Sequence, residues 1–244
     1  MNIETNHSLS VDCVIFGYDT EGLKVLLVEQ RTPPSQPNVE RRLKLPGSMI
    51  LENETLPEAA RRVLLEHTGL EQVYLKQIDI FSNPERVVGE ELKWIGEYHR
   101  VSTTRVVTVG YYALISITQQ RLRHTKRKGA IWQRYGEAKG LVMDHDEILT
   151  KATEMLREDF EHSHIAFELL PKRFTIRELQ DLYSAIKGVE IDNRNFRKKI
   201  LGSGILNATG EREQGVAHKP AEYFTFNLSE YKKITRRGLR VLGI

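Results

Sequence analysis

The stretch from Leu45 to Leu70 constrains this chain more than any other. Leu45-Pro46-Gly47-Ser48 reads as a turn. Glu54 follows. Thr55 then stands three residues before Glu58, with Pro57 inside the first turn, which is the pattern of a capped helix start. Leu56, Ala59, Ala60, Val63 and Leu64 recur at helical spacing, so a helix over Thr55–His67 has one apolar stripe to bury. Gly69 stops it. The unit is loop–helix–loop, and it needs an apolar surface to pack against.

The flanking sequence supplies that surface as strands. Val11–Phe16 and Leu23–Val28 are β-rich runs separated by the turn-like Tyr18–Gly22, a hairpin signal. Val73–Phe81, Arg105–Ile117 and Ala130–Gln133 read as further strands. Arg31–Lys44 reads as a loop, Ser82–Thr104 as a long polar stretch and Arg121–Lys128 as a basic loop. Strands around one strong helix predict a mixed α/β domain over residues 1–142.

From Asp144 the period becomes helical. Asp144 and Glu147 read as a capping pair, and Ile148, Ala152, Met155, Leu156 and Phe160 continue an apolar face, which predicts a linking helix over 143–160. A second helix starts at Thr175, capped by Glu178, and stops at Gly188. A third starts after Asp192, carries Phe196 and Ile200, and stops at Gly202. A hairpin-like pair follows, Ile205–Ala208 and Tyr223–Phe226. These elements place a winged helix–turn–helix domain at 161–228 and leave 229–244 as a basic tail.

Charge supports that division. Residues 1–191 hold 25 Lys+Arg against 28 Asp+Glu, whereas residues 192–244 hold 11 against 5. A basic C-terminal segment on a slightly acidic body points to a polyanionic partner. The third helix carries Asn193, Arg194, Asn195, Arg197, Lys198 and Lys199. Arginine pairs bidentately with guanine, asparagine with adenine, and lysine suits phosphate. Arg212, His218 and Lys219 lie in the wing, within reach of the backbone or minor groove. The alternative for this module is a protein-interaction surface with a solvated basic face.

The single cysteine, Cys13, excludes a disulfide framework and a cysteine-based zinc site, and its apolar neighbours read as a buried strand. No apolar run approaches the roughly 18 residues of a membrane helix. Met1–Ser10 is polar and lacks a secretory pattern. The expected compartment is the cytoplasm, with no membrane partner.

Gly47–Leu70 resembles a Nudix box, whose pattern is G-x5-E-x7-R-E-U-x-E-E-x-G-U with U a bulky apolar residue. Ser48 takes a glycine position, and Glu54, Arg62, Gly69 and Leu70 match. The three helix glutamates of the pattern fall at Val63, Glu66 and His67. Nudix hydrolases use such carboxylates to hold a divalent metal against a diphosphate. Val63 offers no ligand, and His67 offers nitrogen where Mg²⁺ prefers oxygen. The expectation is a Nudix fold without hydrolysis, with no metal and no cofactor. Glu58, Arg62 and Glu66 lie four apart and read as a salt-bridged helix face. His67 reads as a favourable charge at a helix end. The competing reading is an active hydrolase of nucleoside diphosphate derivatives that adds Glu52 or Glu54 to the metal site.

A degenerate Nudix domain followed by a winged helix resembles the Nudix-related transcription regulators. The resemblance runs through Leu45-Pro46-Gly47, Val109–Leu114, Asp144–Leu149, Leu169-Leu170-Pro171, Phe174–Gln180, Asp192–Arg197 and Lys219–Tyr223. It implies an α/β (α+β) Nudix-like mixed-sheet domain followed by a winged helix–turn–helix. It also implies a homodimeric repressor that releases double-stranded operator DNA when a small effector binds the Nudix-like domain. Nudix topology suggests Glu29, Arg31, Lys44, Pro46 and Glu66 as effector-lining residues. Trp94 and Tyr98, in the long polar stretch, suggest a sugar-stacking surface. On that basis the chain is most like the arabinose-responsive AraR-type branch of Bacteroidetes, with L-arabinose or a similar sugar as effector in sugar utilisation. The alternative effector is ADP-ribose, in NAD metabolism.

Overall fold

The computed structural model describes residues 5–19, 21–30, 42–99, 105–162, 169–217 and 219–236. It divides into two compact units, Met1–Gly17 with Lys24–Thr153, and Tyr18–Leu23 with Glu154–Ile244.

The first unit is built on a seven-stranded sheet. Its strands are β1 (Thr5–Asp19), β2 (Gly22–Glu29), β3 (Leu43–Lys44), β4 (Gly47–Leu51), β5 (Tyr74–Phe81), β6 (Val107–Ser116) and β7 (Ala130–Arg134). The main path runs β3-β2-β1-β6-β5, with β4 also on β1 and β7 also on β2. The runs Val11–Phe16, Val25–Leu27 and Val109–Leu114 are continuously buried because β1, β2 and β6 are covered on both faces.

Helix α1 (Leu56–Thr68) forms where the capping pattern predicts. Glu58 accepts the Thr55 backbone N–H at 2.7 Å, and Gly69 closes the helix at φ 71° with its N–H on the Leu65 carbonyl. Its stripe of Ala59, Ala60, Val63 and Leu64 packs on Val11, Cys13, Ile15, Leu26, Val109, Tyr111, Ala113 and Ile115. Burying a side chain such as Leu64 is worth about 1.5–3 kcal/mol, so the stripe fixes the helix on the sheet. The Cys13 thiol is fully buried, and burial pushes its pKa well up, as expected of an inert strand cysteine.

One stretch expected only to be polar and one expected loop contain helices. The polar stretch 82–104 contains α2 (Glu90–His99), which buries Trp94 and Ile95 against Met49, Val87 and Val106. The expected basic loop 121–128 is largely α3 (Gln119–Arg127), held by a buried Thr125 and a half-buried Leu122. α3 carries one apolar residue, Leu122, too few for periodicity to reveal it, whereas α2 holds Leu92, Trp94, Ile95 and Tyr98, a stripe that a reading as a polar stretch passes over. The start of α4 (His145–His162) also differs from the capping pair expected of Asp144 and Glu147. The Asp144 carboxylate is taken up by Arg86, with two contacts of 2.7 Å, while Glu147 is exposed.

In the second unit, α5 (Ile176–Lys187) begins with a complete Thr175/Glu178 capping box and ends at Gly188, φ 70°. α6 (Asn193–Gly202) is capped by Asp192, which accepts the Asn195 N–H at 2.8 Å. The hairpin is three-stranded: β8 (Phe174–Thr175) joins β10 (Glu222–Phe226), which pairs with β9 (Leu206–Arg212). An aromatic chain forms the core, Phe160 lying 4.3 Å from Tyr183 and Tyr183 lying 5.3 Å from Phe196, ring centre to ring centre. The segment expected as a basic tail begins as a helix, α7 (Leu228–Arg236), because Tyr231 buries against Phe226. No helix among the described residues is long and apolar enough to cross a membrane.

Candidate functional site

The turn before the box is gripped from several sides within the first unit. Asp12 of β1 pairs in register with Gly47 of β4. A side chain at position 47 would collide with the Asp12 carboxylate, which explains the glycine. The Cys13 N–H donates to the Pro46 carbonyl at 2.8 Å. The Leu45 N–H donates to Nδ1 of His145 at 2.9 Å, which places the proton of the neutral ring on Nε2, 3.9 Å from Asp12. Burial holds the His145 pKa below its ordinary value, opposed by Asp12 and reinforced by Lys44. The sequence offers no signal for His145 or Arg86, both buried and both contacting residues far away in the chain.

The box helix is wired differently from the expected ladder. Arg62 turns back to Glu54, with Nε at 3.0 Å and Nη2 at 2.5 Å from the two carboxylate oxygens, and also donates to the Met49 carbonyl and the Ser48 hydroxyl. Glu54 accepts the Leu51 N–H as well. The Arg62 hydrogen bonds, more than its charge, pull the Glu54 pKa down, and Glu54 raises that of Arg62. Glu58 serves the Thr55 cap instead of Arg62. The pair therefore staples the loop of the box to α1.

Val63 is 1% exposed and faces the core, so that position presents no group to a ligand. Glu66 and Glu52 are exposed, and His67 is half-buried in the last turn. Among the described residues no group of three or more His, Cys, Asp and Glu side chains is placed to hold a metal ion. Glu29 and Lys44 lie on the paired strands β2 and β3, one rung apart, and Pro46 is buried just after Lys44. Trp94 corrects an expectation: it is 9% exposed inside the α2 cluster, so its ring is a core element and not a free stacking surface. Tyr98 lies on α2, and its side chain is outside the described residues, as is Arg31.

In the second unit α6 separates its residues cleanly. Phe196 and Ile200 are fully buried, while Asn193, Arg194, Asn195, Arg197, Lys198 and Lys199 are all exposed. Arg212 on β9 and Lys219 before β10 are exposed, and His218 lies outside the described residues. Arg173, which the sequence did not flag, pairs with Glu211 of β9 and stacks over Tyr223 of β10 with its guanidinium 5.1 Å from the ring centre. It thereby ties the wing strands to the segment that leads into α5.

Comparison with known proteins agrees with this geometry. Over 227 residues the chain is 27% identical to the ADPR responsive transcriptional repressor NtrR of Acinetobacter baylyi, covering 91% of this chain and 83% of that protein. The crystal structure of Shewanella oneidensis NrtR complexed with a 27mer DNA superposes with a TM-score of 0.70 at 26% identity, covering 92% of this chain and 95% of that one. A MutT/nudix family protein from Enterococcus faecalis gives a TM-score of 0.60 at 25% identity over 90% of this chain and 87% of that one. Residues 166–226 match the NrtR DNA-binding winged helix domain, and residues 6–152 match the NUDIX domain. The chain belongs to the NUDIX family, with a winged helix domain following its Nudix-like domain.

Proposed function

We propose that this protein is an ADP-ribose-responsive transcriptional repressor. The observation that carries the DNA-binding half is α6, whose six polar and cationic residues face solvent while Phe196 and Ile200 anchor it. In this reading α6 enters the major groove. Arg194, Arg197, Asn193 and Asn195 read base edges, and Lys198, Lys199, Arg212, His218 and Lys219 contact the backbone or minor groove. A homodimer sets two such helices on a roughly palindromic operator.

The effector half rests on the relatives. The Acinetobacter protein is named for its response to ADP-ribose. That replaces the expectation of L-arabinose and the AraR-type branch, which leaned on Trp94 as a stacking surface. The Nudix-like domain acts here as a sensor, with Glu29, Arg31, Lys44, Pro46 and Glu66 as effector contacts. Val63 in the core and Glu54 held by Arg62 both weigh against a hydrolytic metal site. ADP-ribose releases DNA only to the extent that it binds the DNA-incompetent state more tightly.

Gel shifts on promoter fragments with Arg194→Ala and Arg197→Ala test the reading. Operator affinity falls in both variants, by about 1–3 kcal/mol for each arginine–base pairing removed, while calorimetric affinity for ADP-ribose is unchanged. Unaltered operator binding in both would contradict it.

A further inference from the structure

We propose that the outward face of α3 is a second anion-binding surface, which contacts the phosphate backbone of duplex DNA. The inference rests on the reading of the protein as a duplex DNA binder. Over Gln119–Arg127, α3 contains no acidic residue. Arg123, Lys126 and Arg127 stand at i, i+3 and i+4, so they share one helical face. All three are exposed, as is Lys128 directly after the helix. Among the described residues none of the four has an ion-pair partner.

Some surface cations of this chain are paired, whereas these four, like Arg194, Arg197 and Lys198 of α6, are exposed and have no ion pair among the described residues. Lys93 pairs with Glu90, Lys233 with Glu230, Arg177 with Asp181 and Arg42 with Glu91. Cations near a helix C-terminus complement its dipole, which accounts in part for Lys126 and Arg127. It does not account for Arg123, a turn earlier, or for three neighbouring like charges of which none is ion-paired among the described residues.

The fit is to a polyanion with closely spaced charges. Residues 123–127 span about 6 Å of axis at the ordinary helical rise. Duplex DNA carries a phosphate charge about every 1.7 Å of its axis, both strands counted, and a face of adjacent unpaired cations complements that charge density. Residues 1–191 carry excess acid overall, so the patch is a local feature and not a diffuse basic surface. Contacts of this kind add affinity without adding sequence preference.

The test uses the full chain carrying Arg123→Gln, Lys126→Gln and Arg127→Gln together. Affinity for a promoter fragment and for an unrelated duplex is measured over a salt series. The expected result is a log–log salt slope shallower by about 0.9 for each phosphate left unneutralised, roughly 2–3 in all, and equal for both duplexes. The ratio of the two affinities stays as in the unsubstituted protein, and so does ADP-ribose affinity, which reports folding of the domain. The charge-keeping pair Arg123→Lys and Arg127→Lys retains the original slope. If the unsubstituted protein binds duplex and the triple variant keeps its affinity and slope, the α3 surface is refuted while the DNA reading stands. If the unsubstituted protein binds no duplex, both fall. An unchanged slope with Arg197→Ala still impaired would restrict DNA contact to the winged helix.

Discussion

His145 receives the Leu45 backbone N–H on Nδ1 at 2.9 Å, joining the start of α4 to the turn before the box across 100 residues of chain. Asp12, Lys44, Asp144 and Arg86 are the charged groups that surround the ring. The folded-state pKa is depressed, so protonation opposes this arrangement. The sign follows: stability is fully present above the unfolded pKa of about 6.5, and is lost as pH falls toward the folded value, by up to about 1.4 kcal/mol per pH unit. His145→Asn keeps an acceptor near the Nδ1 position and removes the titration. Urea denaturation from pH 7.5 downward is predicted to be less pH-dependent in the variant. Identical pH slopes in the two proteins would contradict this.

The Arg62–Glu54 staple gives a second expectation. Arg62→Ala leaves Glu54 with only the Leu51 N–H and removes the contacts to Met49 and Ser48. Charge-assisted bonds of this kind are worth about 1.5–3 kcal/mol each, and partial exposure puts the loss here at the lower end. The Glu54 pKa is depressed, so its contribution is present above the ordinary carboxylate range and fades as pH falls through the folded value. Chemical denaturation should show a deficit at neutral pH that narrows in acid. Arg62→Lys, which lacks the fork, recovers only part of it.

Placing glutamates at positions 63 and 67 is expected to cost stability without producing hydrolysis. Val63 sits in the core beside Cys13, Ala59 and Ala60, so Val63→Glu buries a carboxylate without a partner. A cost of about 2–5 kcal/mol is expected, read as a lower denaturation midpoint. Val63→Glu with His67→Glu should release no mononucleotide from ADP-ribose in Mg²⁺. Metal-dependent turnover by the double variant would show that the pocket is intact and only its ligands were missing.

Phe196→Ala separates the two units. The ring is fully buried against Tyr183, and its removal costs about 3–5 kcal/mol. Duplex affinity should collapse, with reduced protection of α5 and α6 amides in hydrogen exchange, while exchange in α1 and the central strands is unchanged.

Local chemistry is legible in the sequence wherever it is strong. The Thr55/Glu58 and Thr175/Glu178 boxes, the stops at Gly69 and Gly188, and the cap at Asp192 are contacts between near neighbours, and each forms as the residue order predicts. Elements with little apolar content are not legible. α3 has one apolar residue, Leu122, so charge hides its period, while in α2 the run of Leu92, Trp94 and Ile95 acquires its partners Met49, Val87 and Val106 only from other segments. Trp94 misleads for a related reason: a lone aromatic in a polar stretch looks available until the partners that bury it, Met49 and Val106, are brought in from other segments. Arg62 takes an unexpected partner because spacing on a helix predicts i, i+4 pairs, and the fold offers a better-aligned carboxylate in the preceding loop. His145 and Arg86 depend wholly on distant contacts.

The central claim is best tested by fluorescence anisotropy of the full chain on promoter fragments near its gene, with and without ADP-ribose and L-arabinose. Salt-sensitive, fragment-specific binding is expected, which ADP-ribose releases and L-arabinose leaves unchanged. Specific binding released by L-arabinose alone, or no specific binding to duplex DNA, would contradict it.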